Sequence, residues 1–286
     1  MIRRPRPPHT PRGLGLIELL IALVIAAFLL WGLFAIYYSS ALGSVAQQAE
    51  AALDDNIRTA VTLLTTDARQ AGYRAILTED PSQIFTQIPA NEADPTAWLA
   101  TGSHPVMLGT WHGSPAPPYG FAVSFQSNGV MQNCLGQTVP FGDIDTDEWE
   151  LDKSTKQLEC RSFIAAGGIG SWQGYTPLVN NVEAMVVRLG LDTQSTGSVD
   201  VYAYPGKTIQ WNQVRALQIG LILASGDAAS PDGTIGDVLT NPASENFNLL
   251  GDPIASPLDR YLRAAVVRDI TLRNVVSYYR HNPGGQ

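Results

Sequence analysis

From Leu19 to Ala49 the chain carries no charged residue, and the stretch from Leu19 to Tyr38 is almost wholly apolar. As a helix these residues span roughly 30 Å, the thickness of a bilayer's hydrocarbon core. Trp31, Tyr37 and Tyr38 fall near its distal end, where amphipathic rings favour the membrane interface. The pattern then changes. Val45, Ala49, Leu53, Ile57, Val61, Leu64 and Ala68 recur three or four apart, with Asp54, Asp55, Arg58, Thr62, Thr65 and Arg69 between them. That is one apolar face of an amphipathic helix, closed by Gly72 as a C-terminal cap. The spacing predicts one helix from Leu14 to Ala71, roughly 87 Å if unbroken, with Gly32 and Gly43 as weak points.

Residues 73–120 are rich in turn formers ("TEDPSQ", "NEADPT", "TGSHP", "HGSPAPPYG") and read as an irregular connection with a short helix near Thr96. From Phe121 the period becomes two. "FAVSFQ" alternates, and "WELD" and "KQLEC" flank a turn at Lys153–Thr155. Met185, Val187, Leu189 and Leu191 share one face, as do Leu217, Ile219, Leu221 and Leu223; Val266, Ile270 and Leu272 point one way in a last strand. These are half-buried strands, and their order suggests an antiparallel sheet with hairpins and two long loops between the last two strands. The fold class is α+β: a leader over 1–13, a helix over 14–72 with a span at about 19–38, the connection over 73–120, and a β-rich domain over 121–286.

Charge orients this arrangement. Net charge is −8, yet Arg3, Arg4, Arg6 and Arg12 precede the apolar run with no acid beside them. Beyond Gly13 there remain 14 basic against 26 acidic residues, a balance of −12. Basic residues before a span place the N-terminus in the cytoplasm and the body outside. The acidic body argues against nucleic acid as a partner. A cleavable signal peptide cut near Ala41 is the rival reading, but its apolar region is usually only about 7–15 residues long.

Candidate chemistry is sparse. There is no GxSxG, HExxH or P-loop, so neither catalysis nor a cofactor is expected. His104 and His112 lie eight apart, too few ligands for a metal. In "DIDTDEWELD", Asp143, Asp145 and Asp147 match the first spacings of a calcium loop, but Glu148 and Ser154 break its sixth and twelfth positions. A solvated acidic turn is the default expectation there, with a looser calcium site as the alternative. Cys134 and Cys160 have no CxxC or Cys/His companions, which disfavours zinc. Export favours a disulfide over two buried thiols.

Glu18 stands apart, because a carboxylate within a span costs a few kcal/mol, on the order of 2–4, and is a functional suspect. Its setting, "GLGLIE" from Gly13, resembles the class III signal of type IV prepilins. The resemblance implies that a prepilin peptidase cuts between Gly13 and Leu14 and methylates the new amine; Leu14 departs from the Phe common there. Such an amine has a pKa of about 8 and is mostly charged. The resemblance further implies that Glu18 pairs with the amine of a neighbouring subunit during assembly, while a pair within one chain, about one turn away, also fits. "LLTTDARQAGYR" (Leu63–Arg74) resembles the end of this helix in the PilW family of minor pilins. Here Asp67 and Arg69 either pair, hold the following loop, or form a solvated helix end. "CLGQTVP", "LEC", "LVNNVEAMVVRLGLD", "WNQVRALQIGLIL" and "TLRN" follow the same family's order. The likeness implies a pilin-like fold and a Cys134–Cys160 disulfide that contributes roughly 3 kcal/mol. It implies a minor pilin that primes pilus assembly, stored in the inner membrane and later placed in the filament, most simply at its tip. Its partners would be other minor and major pilins, the prepilin peptidase, the assembly platform and a tip adhesin. A J-type minor pseudopilin of type II secretion is the alternative.

Overall fold

The computed structural model describes residues 15–79, 85, 105–109, 120–166, 169–204, 210–225, 244–259 and 261–281. The chain divides into two units, Met1–Gln47 and Gln48–Gln286. Helix α1 runs Leu16–Ala68, 53 residues. It continues through Gly32 and Gly43, because a glycine costs a helix only about 1 kcal/mol and strong helix formers surround both. In the first unit, Leu16–Ala41 is long and apolar enough to cross a bilayer. This is longer at both ends than the expected 19–38, and its large side chains are exposed, Phe28 at 68% and Trp31 at 72%.

The second unit is built around the rest of α1. Ala49, Leu53, Ala60, Leu64 and Ala68 are buried. The last four form one core with two antiparallel sheets where a single sheet was expected. The first sheet holds β1 (Val106–Gly109), β2 (Gly120–Gln126), β3 (Ile144–Asp152), β4 (Gln157–Ala166) and β5 (Ile169–Trp172) in that order, and β6 (Thr176–Val179) also pairs with β4. β1 lies inside the region expected to be irregular; it pairs with β2 from Val106↔Val123 to Gly109↔Gly120. Thr96 lies outside the described residues. The second sheet takes β7 (Val182–Leu191), β8 (Val201–Ala203), β9 (Val214–Ala224) and β12 (Arg263–Thr271) in the order β12-β9-β7-β8.

Met185, Val187, Leu189, Leu217, Ile219, Leu221 and Leu223 are buried in the main core, as their alternation predicts. The opposite face of the same strands is also covered. Ala184, Val186 and Ile222 pack beneath Leu249 and Phe247 of a hairpin, β10 (Asn246–Leu249) and β11 (Asp252–Ala255). That hairpin sits where a loop was expected. Its two-residue turn is made possible by the positive φ of Leu250 (55°) and Gly251 (92°). A second helix absent from the sequence reading, α2 (Arg273–His281), follows β12 directly.

The end of α1 falls three residues before the expected Ala71. The last turn tightens, with Gln70 N–H on the Asp67 carbonyl and Ala71 N–H on that of Ala68. Gly72 then adopts φ +75°. Its N–H donates to the Ser124 carbonyl at 2.8 Å, and Gln126 N–H donates to Tyr73 at 2.9 Å. Residues 72–73 thus take over the edge of β2 just where β1 stops. A Cβ at Gly72 would lie 2.9 Å from the Val275 nitrogen of α2, whereas one at Gly136, also at φ +75°, would meet nothing within 4 Å. Gly136→Ala is therefore expected to lose about 1 kcal/mol, and Gly72→Ala about 1–3 kcal/mol more; equal losses in denaturant unfolding would contradict this account.

Candidate functional site

Two places hold the residues singled out by sequence. The first is the start of α1. Gly13 and Leu14 lie outside the described residues. Glu18 stands in the first turn, exposed, and its Oε2 accepts from the Gly15 N–H at 3.2 Å. Glu18 N–H in turn donates to the Gly15 carbonyl at 3.0 Å. The carboxylate is thus folded back toward the helix N-terminus, where the unpaired N–H groups concentrate positive charge.

The second place is the junction of α1 with β3. The acidic run "DIDTDEWELD" is a buried strand and not the expected solvated turn. Alternation puts Asp145, Asp147, Trp149 and Leu151 on one face, all buried. Trp149 Nε1 donates to Asp67 Oδ2 of α1 at 2.5 Å. Asp147 Oδ2 accepts from the Cys134 N–H at 2.9 Å, and Asp145 Oδ1 accepts from Ser162 Oγ at 2.7 Å. The expected Asp67–Arg69 link is not formed: Asp67 is buried against β3, whereas Arg69 is exposed. Helical spacing explains this, since residues two apart point to different sides. The end of α1 is held instead by Asn274 Nδ2, which donates to the Arg69 carbonyl at 3.0 Å.

Burial dominates the electrostatics of this junction. It pushes Asp67 up to about 6, offset in part by its hydrogen bonds with Asp147 and Trp149. It pushes Asp145 up to about 7, and Asp147 well above the usual carboxylate range, with the charges of Asp67 and Asp145 adding to the shift.

Cys134 and Cys160 form a disulfide, Cα–Cα 6.4 Å. Cys160 sits on β4 directly opposite Trp149, so the bond ties the 127–143 segment to the sheet beside the carboxylates. The two sulfurs and an Asp147 oxygen lie within 4.8 Å of one another. Sulfurs joined to each other offer no thiolate, so this is not a metal-ligand set. On the opposite face of the sheet, Arg161 pairs with Glu148 at 2.7 Å and stacks on Trp172 and Tyr175. Burial raises nearby Glu150 to about 8. His104 and His112 lie outside the described residues.

The buried role of Asp67 and Asp147 escaped the sequence reading, although one signal was present. "D-x-D-x-W-x-L" alternates as a strand whose inner face begins with acids.

Comparison with known proteins bears on both places. Residues 146–274 match the family described as Type IV Pilus-assembly protein W, and residues 9–34 match the prokaryotic N-terminal methylation motif. "LEC", "LVNNVEAMVVRLGLD", "WNQVRALQIGLIL" and "TLRN" lie inside the first match, and "GLGLIE" inside the second. "LLTTDARQAGYR" and "CLGQTVP" precede the first. Among solved structures the chain is similar to the type IV-like pilin TTHA1219 from Thermus thermophilus, at 16% identity and a TM-score of 0.43, over 78% of this chain and 98% of that one. No curated protein matches.

Reduction of the disulfide, or Cys134→Ser with Cys160→Ser, is expected to lower unfolding free energy by roughly 3 kcal/mol. Equilibrium denaturation with and without reductant checks this; an unchanged midpoint would contradict it.

Proposed function

For a type IV pilin-like chain that carries a PilW domain behind a prepilin methylation motif, we propose the role of a minor pilin that primes pilus assembly and joins a complex of minor pilins, at the pilus tip. The observation that carries this reading is a single helical element. Its first part, Leu16–Ala41, is apolar and exposed, and its later turns belong to the core of the β-rich unit. Such an element is suited to two environments in turn. In the inner membrane, lipid covers the apolar part, the N-terminus is cytoplasmic and the body is periplasmic. In a filament, helices of neighbouring pilins replace the lipid.

Prepilin peptidase would cut between Gly13 and Leu14 on the cytoplasmic side and methylate Leu14. The Glu18 carboxylate already reaches back to the Gly15 N–H, one residue from the amine that the cut would create. The stored subunit can therefore neutralise Glu18 within its own chain. On assembly the amine of a neighbour would take over, since a carboxylate in low dielectric needs a partner and only one stagger brings the two together. The β-rich unit would contact other minor and major pilins and a tip adhesin, and the assembly platform would extract the helix.

Glu18→Ala is expected to leave membrane insertion intact and to cut the subunit's share in sheared filaments at least about tenfold, as for loss of about 1.4 kcal/mol or more of pairing free energy. Wild-type incorporation would discredit the role of Glu18. In a strain lacking the gene, loss of surface filaments is expected. Intact filaments with failed type II secretion would establish the J-type pseudopilin instead.

A further inference from the structure

The junction of α1 with β3 buries three carboxyl groups without a basic side chain among the groups that act on them most strongly in the described residues. Asp67, Asp145 and Asp147 are at most 3% exposed. Among the described residues each has one oxygen with a donor and one without: Asp67 Oδ1, Asp145 Oδ2 and Asp147 Oδ1 receive no N–H group and no hydroxyl. The groups acting on them most strongly are one another, Trp149, Ser162, Asn133 and the backbone at Cys134 and Thr146, with no Lys, Arg or His. By element, α1 presents Asp67, β3 presents Asp145 and Asp147, β4 presents Ser162 and the disulfide sulfur of Cys160, and the 127–143 segment presents Asn133 and Cys134. The ion pair of Arg161 and Glu148 belongs to the opposite face of the sheet.

Asp67 and Asp147 are within hydrogen-bonding reach of each other. Two carboxylates can bond only if one carries a proton, and two buried like charges in contact are strongly unfavourable. We propose that Asp67 and Asp147 share one proton, and that this proton latches the end of α1 to β3 and opens the junction when it is lost.

The latch is coupled to its surroundings. Asp67 holds the Trp149 indole and Asp147 holds the Cys134 N–H. Repulsion between the two carboxylates would therefore loosen the helix end, the core tryptophan and the disulfide-bearing segment together. The sign follows from burial, which raises both groups above the value they have in an unfolded chain. The latch is complete below about pH 4 and is lost as pH rises through the folded-state values, about 6 for Asp67, with Asp147 also raised well above the usual carboxylate range by burial. Over that interval the folded chain keeps a proton that the unfolded chain has released, so the folding constant falls about tenfold per pH unit.

Asparagine tests this without changing shape. At position 67 its carbonyl accepts from Trp149 and its amide donates to Asp147. At position 147 its carbonyl accepts from Cys134 and its amide donates to Asp67. The full chain in detergent, unfolded by denaturant between pH 4 and 8, should lose about tenfold less in folding constant per pH unit with Asp67→Asn or Asp147→Asn than with wild type. Any slope left would come from the remaining partner, still buried, and from Asp145, Glu150 and Glu159. Slopes equal to wild type in both variants, or a wild type equally stable across the range, would overturn the latch. If neither variant folds, infrared spectra of the wild type decide: a protonated carboxyl band that disappears as pH rises supports the shared proton, and its absence at pH 5 rejects it.

Discussion

An apolar helical stretch whose large side chains are exposed sets the terms for everything else in this chain. Each large apolar side chain moved out of water is worth about 1.5–3 kcal/mol, and Leu16–Ala41 carries more than a dozen of them. Water is therefore not a stable environment for that stretch. Lipid is one, and the helices of other subunits are another. Association within lipid has no hydrophobic drive behind it, so specificity has to come from packing and from polar groups. Glu18 is the only acid or base in the stretch. That makes it the group on which the proposed stagger rests, and its Oε2 accepts from the Gly15 N–H near the start of the helix.

The same helix, farther along, meets the opposite demand. Ala60 and Ala68 are fully buried there, and with Leu53 and Leu64 they belong to one apolar core that also takes in residues of both sheets. The end of the helix is tied down by unlike means within a few residues: an indole bond to Asp67, two backbone bonds from residues 72–73 to β2, and an amide from α2 to the Arg69 carbonyl. Gly72 is needed twice over, for its left-handed turn and for the contact with α2. The disulfide adds a covalent tie on the sheet side, next to the tryptophan that receives the helix.

Much of this was legible in the residues. The uncharged run, the 3.6-residue period after it and the alternation at 185–191 and 217–223 each stem from a solvent boundary running along an element, and each survives in the structure. What stayed hidden depends on distant parts of the chain. β10–β11 reads as loop because Pro253 and the Asn and Gly around it are poor strand formers; the hairpin exists because the face of β7 and β9 carrying Ala184, Val186 and Ile222 needs cover. The acidic strand reads as a solvated turn because carboxylates are seldom buried. It is buried where Ser162 Oγ donates to Asp145 and the Cys134 N–H to Asp147, and neither donor is adjacent to these acids in sequence. Asp67 and Arg69 look like a pair when read as neighbours, and helical geometry separates them.

In the proposed role, processing of the N-terminus would join these features into one life history, in which a membrane helix becomes a packing helix once the leader is gone. Mass spectrometry of the mature chain from its native host tests that most directly. The account predicts a chain that begins at Leu14 and carries a methyl group on its amine. An intact chain beginning at Met1, or one cut near Ala41 with the apolar helix removed, would contradict it.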